Sequence, residues 1–254
     1  MKTEMPAAPA ERVVVVTGAG SGLGRAMATA LLDAGHHVVL AGRTRETLEE
    51  TAAGHERAVV SPVDVGSADS VRDLFESVSA RFGRLDVLIN NAGTFGPSGS
   101  IDEIDPAAWS ATVAANLTGV FLCAREAVRI MKNQDPRGGR IINNGSISAH
   151  TPRPGSVAYT ATKHGVSGLT KSISLDGRDF DICCSQIDIG NAATDMTAGI
   201  GHSAKQADGT SRPEPTFDPR HVADTVVHLI GLPLEVNVPT LTIMANRMPY
   251  MGRG

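Results

Sequence analysis

An α/β fold with a mostly parallel sheet covered by helices on both faces is predicted by three features of this 254-residue chain. Short β-branched runs alternate with longer helical stretches along nearly its whole length. The first run enters a glycine-rich turn, Thr17-Gly18-Ala19-Gly20-Ser21-Gly22-Leu23-Gly24, and that turn opens a helix followed by a second strand. Strand, tight turn, helix and strand in that order make a right-handed βαβ unit, the building block of a doubly wound sheet.

The elements follow in order. Residues 13–16 are four consecutive valines, suited to a strand buried on both faces. A helix is expected over 25–34, a strand over 37–41, a helix over 44–53 and a strand over 57–61. An amphipathic helix over 67–82 precedes a strand at 87–89 that ends in Asn90-Asn91-Ala92-Gly93. A long helix over 106–132 carries Asn116 well inside it. Then come a strand at 140–143, a helix over 157–175 and a strand at 182–187. A helix over 218–230 and a strand at 241–244 complete the alternation. Residues 13–254 read as one domain behind a tail, 1–12, rich in Ala and Pro. The longest structureless stretch, 198–219, is long enough for a lid, and a substrate loop is expected over about 192–219.

Composition narrows the function. A net charge of −4 and the lack of basic runs interleaved with aromatics argue against a nucleic-acid surface. No uninterrupted apolar run approaches membrane-spanning length, so a membrane role is not expected. Cys123, Cys183 and Cys184 have no metal-ligand spacing and read as reduced thiols of a cytoplasmic protein. The histidines lack the i, i+4 spacing of a helical metal site, so no metal is expected.

Two motifs carry chemistry. In the glycine-rich turn, Gly18 permits the tight bend, Gly22 lets the backbone approach a phosphate, and Gly24 lets the helix pack on the sheet. Ser21 and Leu23 lie between them at the helix amino terminus, where unpaired N–H groups and a partial positive charge suit a pyrophosphate. The second motif is Tyr159-Thr160-Ala161-Thr162-Lys163, which sets a phenol and an ammonium one helical turn apart on one face. A free phenol titrates near pH ~10. Lowering that by roughly three units takes about 4 kcal/mol, which the ammonium and an oxidised nicotinamide ring could supply together.

Taken together, these motifs resemble the short-chain dehydrogenases/reductases. The resemblance covers about residues 13–196 in order and spacing: the glycine-rich turn, Asp64-Val65 after the third strand, Asn90-Asn91-Ala92-Gly93 after the fourth, Asn116, Ser146, Tyr159 and Lys163. It implies a Rossmann-type domain binding a nicotinamide dinucleotide and transferring hydride to or from a small carbonyl or alcohol substrate. Tyr159 would move the proton, Lys163 would lower its pKa and bond the nicotinamide ribose, and Ser146 would hold the substrate oxygen. Asn116 would hold a relay water. Asp64 and Val65 would meet the adenine, and Asn91, Ala92 and Gly93 would support the cofactor. Relatives are often tetramers, so a homo-oligomer, tetramer or dimer, is expected.

At the end of the second strand, Gly42 stands where NAD-preferring relatives place an acid, and Arg43 follows. A guanidinium suits a 2′-phosphate, so NADP is favoured over NAD. After the sixth strand the usual Pro-Gly is replaced by Asp188-Ile189-Gly190, with Thr194 and Met196 beyond. Ile189, Gly190 and Thr194 are expected at the nicotinamide, and Asp188 is expected to cap the turn rather than tune the phenol. His150, between Ser146 and Tyr159, could line the cleft or simply be solvated. The resemblance also admits a 3-oxoacyl-thioester reductase, which would need a basic patch for an acidic carrier, and a different class altogether, a non-catalytic dinucleotide sensor or scaffold.

Overall fold

The computed structural model describes residues 11–251, so most of the expected tail and the last three residues lie outside the described residues. The strands are β1 Val13–Thr17, β2 His37–Gly42, β3 Ala58–Pro62, β4 Val87–Asn90, β5 Gly139–Asn144, β6 Ile182–Gly190, β7 Ala204–Lys205, β8 Ser211–Arg212 and β9 Thr240–Met244. Seven of them form one sheet in the order β3-β2-β1-β4-β5-β6-β9, with every neighbouring pair parallel. The helices are α1 Gly22–Asp33, α2 Arg45–Ala52, α3 Ala68–Phe82, α4 Pro106–Val113, α5 Gly119–Asn133, α6 Val157–Gly177 and α7 Arg220–Gly231.

The valine run explains the layering. Successive side chains of a strand point to opposite faces. Val13 and Val15 join the core under α3 and α5, with Leu74, Cys123 and Met131. Val14 and Val16 join the core under α1 and α7, with Leu31 and Val226. Each fully buried aliphatic side chain contributes roughly 1.5–3 kcal/mol, so a strand apolar at every position is stable only between two covering layers. The strand order reverses between β1 and β4, and the crevice beyond their carboxyl ends is where such sheets bind ligands.

Three expectations change. The helix expected over 106–132 is divided by a π-helical segment, Ala114–Thr118, which contains Asn116. One extra residue per turn in such a segment shifts the hydrogen-bond register, and apolar periodicity does not reveal it. The stretch 198–219 is not structureless: β7 and β8 pair antiparallel within it. Strand β6 runs on to Gly190, so Asp188 belongs to the sheet.

The continuous span Pro106–Asn133 is also long and apolar enough, by length and composition, to cross a membrane. Its inner face, with Cys123, Ala124, Ala127 and Met131, packs into the core beneath the sheet. That packing accounts for the apolar character of the inner face; about a third of the apolar window is buried.

Candidate active site

The glycine-rich turn folds as its spacing requires. Gly18 and Gly22 take left-handed backbone angles, φ +66° and +50°. Gly24 leaves no room at all, since a Cβ there would lie 2.0 Å from the Gly18 carbonyl oxygen. Gly24→Ala is therefore expected to lower stability by about 1–3 kcal/mol, read as a shift of the urea midpoint. A midpoint equal to wild type would show that the turn does not need this contact. Helix α1 starts at Gly22 with no side-chain cap from the exposed Ser21 and no acid in its first turn. Leu23 is half-buried and packs against the core under α1 and α7.

Asn91 ties the crevice together. Its side-chain amide donates to the Thr17 carbonyl (3.0 Å) and the Gly18 carbonyl (3.3 Å), and it accepts from Asn144 Nδ2 (2.9 Å). Thr17 Oγ1 accepts from the Asn91 and Ala92 backbone N–H groups at 2.9 and 3.0 Å. The ends of β1, β4 and β5 are thus fastened by side chains around the turn. Gly93 lies next to Asn116, from which a Cβ would be 3.1 Å.

Asn116 is buried, and its amide is fully engaged. It accepts from Thr94 N–H (2.8 Å), donates to Thr94 C=O (2.8 Å), and reaches Thr162 Oγ1 at 3.3 Å. It thereby pins the segment after β4 to the residue beside Lys163. A mid-helix amide is tolerated because both its polar atoms find partners.

Tyr159 and Lys163 lie on α6. The Tyr159 ring stacks on Phe95 with centroids 5.1 Å apart, and Lys163 Nζ is 5.5 Å from the ring centre. The ammonium gives its recorded hydrogen bond to the Asn144 carbonyl at 2.7 Å. Ser146, buried at the end of β5, accepts from Ser148 N–H through Oγ at 3.1 Å. Burial pushes the Tyr159 phenol up from its ordinary value; a hydrogen bond with Ser146 works downward, and the charge of Asp188 works upward again. Burial also lowers the Lys163 ammonium to about 8, against the pull of Asp188. Loss of water and the charge of Asp188 together outweigh the Ser146 hydrogen bond.

The turn after β6 is closely packed. A Cβ on Gly190 would lie 2.8 Å from Met248 Sδ and 2.9 Å from Met244 Cβ. Ile189 is half-buried against the core under α1 and α7. Thr194 approaches the glycine-rich turn: a Cβ on Gly22 would lie 3.5 Å from its side chain. Sequence positions more than 170 residues apart, at Gly22 and Thr194, thus face each other across the crevice.

Asp64 is exposed, and its Oδ1 accepts from Gly66 N–H at 2.9 Å. Val65 is part of the core, and α5 begins against it. Arg43 is exposed at the end of β2 and makes no ion pair among the described residues. No group of three or more potential metal ligands occurs among the described residues.

Some contributors were not legible in the sequence. Asp188 does not cap its turn: it is wholly buried and accepts from the Ser146 backbone. Arg153 reaches Glu214 at 2.6 Å, and Glu214 also accepts from Asn191 (2.8 Å) and Gln206 (2.9 Å). These pairings join the rim before Tyr159, the residue after Gly190 and the β7–β8 segment. Nothing in their spacing foretells contacts across 23 to 61 residues. A cavity of about 500 Å³ lies beside this rim and is lined by Ser100, Pro152, Arg153, Val157 and His164, but not by Tyr159.

Comparison with known proteins agrees with the fold. The short chain dehydrogenase family profile matches residues 12–205. A 3beta-hydroxysteroid dehydrogenase of Mediterraneibacter gnavus is 37% identical over 191 residues, covering 74% of this chain and 68% of that protein. A cis-4-hydroxycyclohexanecarboxylate dehydrogenase of Sinomonas cyclohexanicum is 36% identical over 226 residues, covering 87% and 89%. The crystal structure of an actinorhodin polyketide ketoreductase with NADPH superposes with a TM-score of 0.81 at 28% identity, covering 92% and 96%. A seven-stranded doubly wound sheet, a glycine-rich turn at its switch point and a match over three quarters of the sequence lead to one conclusion: this chain is an oxidoreductase of the short chain dehydrogenase family.

Proposed function

We propose that the chain transfers a hydride between NADP(H) and a secondary alcohol or ketone, with Ser146, Tyr159, Lys163 and Asn116 as its proton-transfer site. The observation that carries this reading is the gathering of Ser146, Tyr159 and Lys163 at the carboxyl edge of the sheet, beside the glycine-rich turn. A binding protein would need the turn but not a half-buried phenol beside a buried ammonium.

The residues present suit a dinucleotide. The first turn of α1 has no side-chain cap and no carboxylate, so its N–H groups and its dipole fit a pyrophosphate. Bound there, the dinucleotide would supply the hydride carrier and, when oxidised, a positive charge. Lys163 adds a second, and both oppose the burial that pushes the phenol up. Ser146 donates to the substrate oxygen as charge develops on it, and Tyr159 gives or takes the proton. Asn116 keeps Thr162, and with it this turn of α6, in place. Ser21, Gly22, Leu23, Ile189, Gly190 and Thr194 would hold the dinucleotide, with Asp64 and Val65 toward its adenine.

The two curated relatives act, by name, on ring-borne secondary hydroxyls, which supports a cyclic alcohol or ketone as the first substrate class to try. Arg43 supports NADP, since an exposed guanidinium without an ion-pair partner among the described residues is available to a 2′-phosphate. Arg43→Ala should raise KM for NADP about tenfold while leaving KM for NAD within about twofold, the loss of one charge-assisted hydrogen bond worth roughly 1.5 kcal/mol. Equal effects on both cofactors in steady-state assays would remove Arg43 from that role. NADPH oxidation with a panel of cyclic ketones tests the whole reading.

A homo-oligomer is part of this proposal. Trp109 and Phe121 are exposed on α4 and α5, an apolar surface that a second copy would cover. Cys123 and Cys184 are buried, and burial pushes their thiols up to about 12, so neither is a reactive nucleophile.

A further inference from the structure

Asp188 is a carboxylate with no exposed surface, set in the sheet directly behind the proton-transfer site. Its Oδ1 accepts from the Ser146 backbone N–H (2.9 Å) and from Gln186 Nε2 (2.7 Å). Its Oδ2 is 2.8 Å from His150 Nε2. Gly145 makes room for it, because a Cβ there would stand 2.1 Å from Oδ1. Gln186 is itself held by Ser167 (2.9 Å) and Thr170 (3.4 Å), so helix α6, which carries Tyr159, keeps register with the carboxylate. His150 differs from the others in being exposed, its side chain 45% accessible. The imidazole therefore joins a sealed negative charge to solvent.

The titratable groups acting on this carboxylate are His150 from the turn after β5, and Tyr159 and Lys163 from α6. Arg153, three residues beyond His150, is committed to Glu214.

We propose that Asp188 and His150 form a positioning dyad for proton transfer: Asp188 fixes the Ser146 turn and opposes negative charge on Tyr159, and protonation of His150 relieves that opposition. The inference rests on the reading of Tyr159 as the proton-transfer group. With the imidazole protonated the dyad has no net charge; with it neutral the dyad carries one negative charge, sealed from water on the side of the phenol. A buried charge acts strongly on neighbouring groups because little solvent screens it. The direction agrees with the upward push of Asp188 on Tyr159, which adds to the larger effect of burial.

The chain has only two tyrosines, Tyr159 and Tyr250, so the full-length Tyr250→Phe variant has a single phenol whose ultraviolet absorbance reports Tyr159 ionisation directly. In that background Asp188→Asn should move the phenolate midpoint down by roughly one pH unit or more, about a tenfold gain in phenolate at a fixed pH on the rising limb. If that variant does not fold by circular dichroism, Asp188→Ser removes the same charge with less volume. A midpoint that stays put or rises overturns the proposal.

The acid limb of kcat/KM for alcohol oxidation gives a second readout. It should shift to lower pH in Asp188→Asn and to higher pH in His150→Gln, which keeps a donor but cannot take the proton. Variants that scale kcat/KM by one factor at every pH would reduce the dyad to a structural support and overturn the proposal. Should wild type turn over no alcohol or ketone with either dinucleotide, the functional reading falls, while the phenolate titration still decides whether Asp188 governs Tyr159.

Discussion

Tyr159→Phe should lower kcat by about a thousandfold or more while the dinucleotide Kd stays within about threefold of wild type. General acid–base groups contribute typically 10²–10⁴-fold. Phenylalanine keeps the ring that stacks on Phe95, so packing is preserved and only the proton-bearing oxygen is lost. Fluorescence titration with NADPH and single-turnover rates on the same preparation separate binding from chemistry. A variant turning over within tenfold of wild type would remove Tyr159 from the mechanism.

Glu214→Ala should cost about 3–5 kcal/mol, since it leaves the Arg153 guanidinium and the Asn191 amide buried without their partner. Burial alone would push the Glu214 carboxyl up, but donors from Arg153, Asn191 and Gln206 and the guanidinium's charge bring it from the ordinary 4.5 down to about 2. The sign follows from linkage: a carboxyl whose folded value lies below its unfolded one stabilises the fold above the ordinary range. That contribution is lost as pH falls from about 4.5 toward about 2. In Glu214→Gln the charge-dependent part is gone, so urea midpoints of wild type and variant should differ most near neutrality and converge toward pH ~2. A difference independent of pH would mean that the carboxylate's charge contributes nothing. Loss of this link should also loosen Asn191, next to Gly190, and the rim at Arg153, so early cleavage by a protease within the β7–β8 segment is the local counterpart.

Part of this molecule is written in short-range pattern. Four valines in a row demand a strand covered on both faces, and the two cores that receive alternate valines are its direct consequence. The glycine spacing demands a turn in which Gly24 meets the Gly18 carbonyl, and Tyr159 and Lys163 share a helix face because four residues make about one turn. Other features depend on partners far away in the chain. The helix expected over 106–132 breaks at Asn116, where the amide finds Thr94 and Thr162. The segment 198–219 acquires order because Glu214 finds Arg153 and Asn191.

The sequence by itself determined the fold class, the family and the identity of the candidate site residues, because backbone conformation and burial pattern are set by near neighbours. Only the tertiary structure decided the electrostatics of that site: that Tyr159 is pushed up by burial, and that Asp188 faces Ser146 and His150 instead of capping its own turn. Dielectric and charge act through space, and the distances that set them arise only once β5, β6 and α6 have come together.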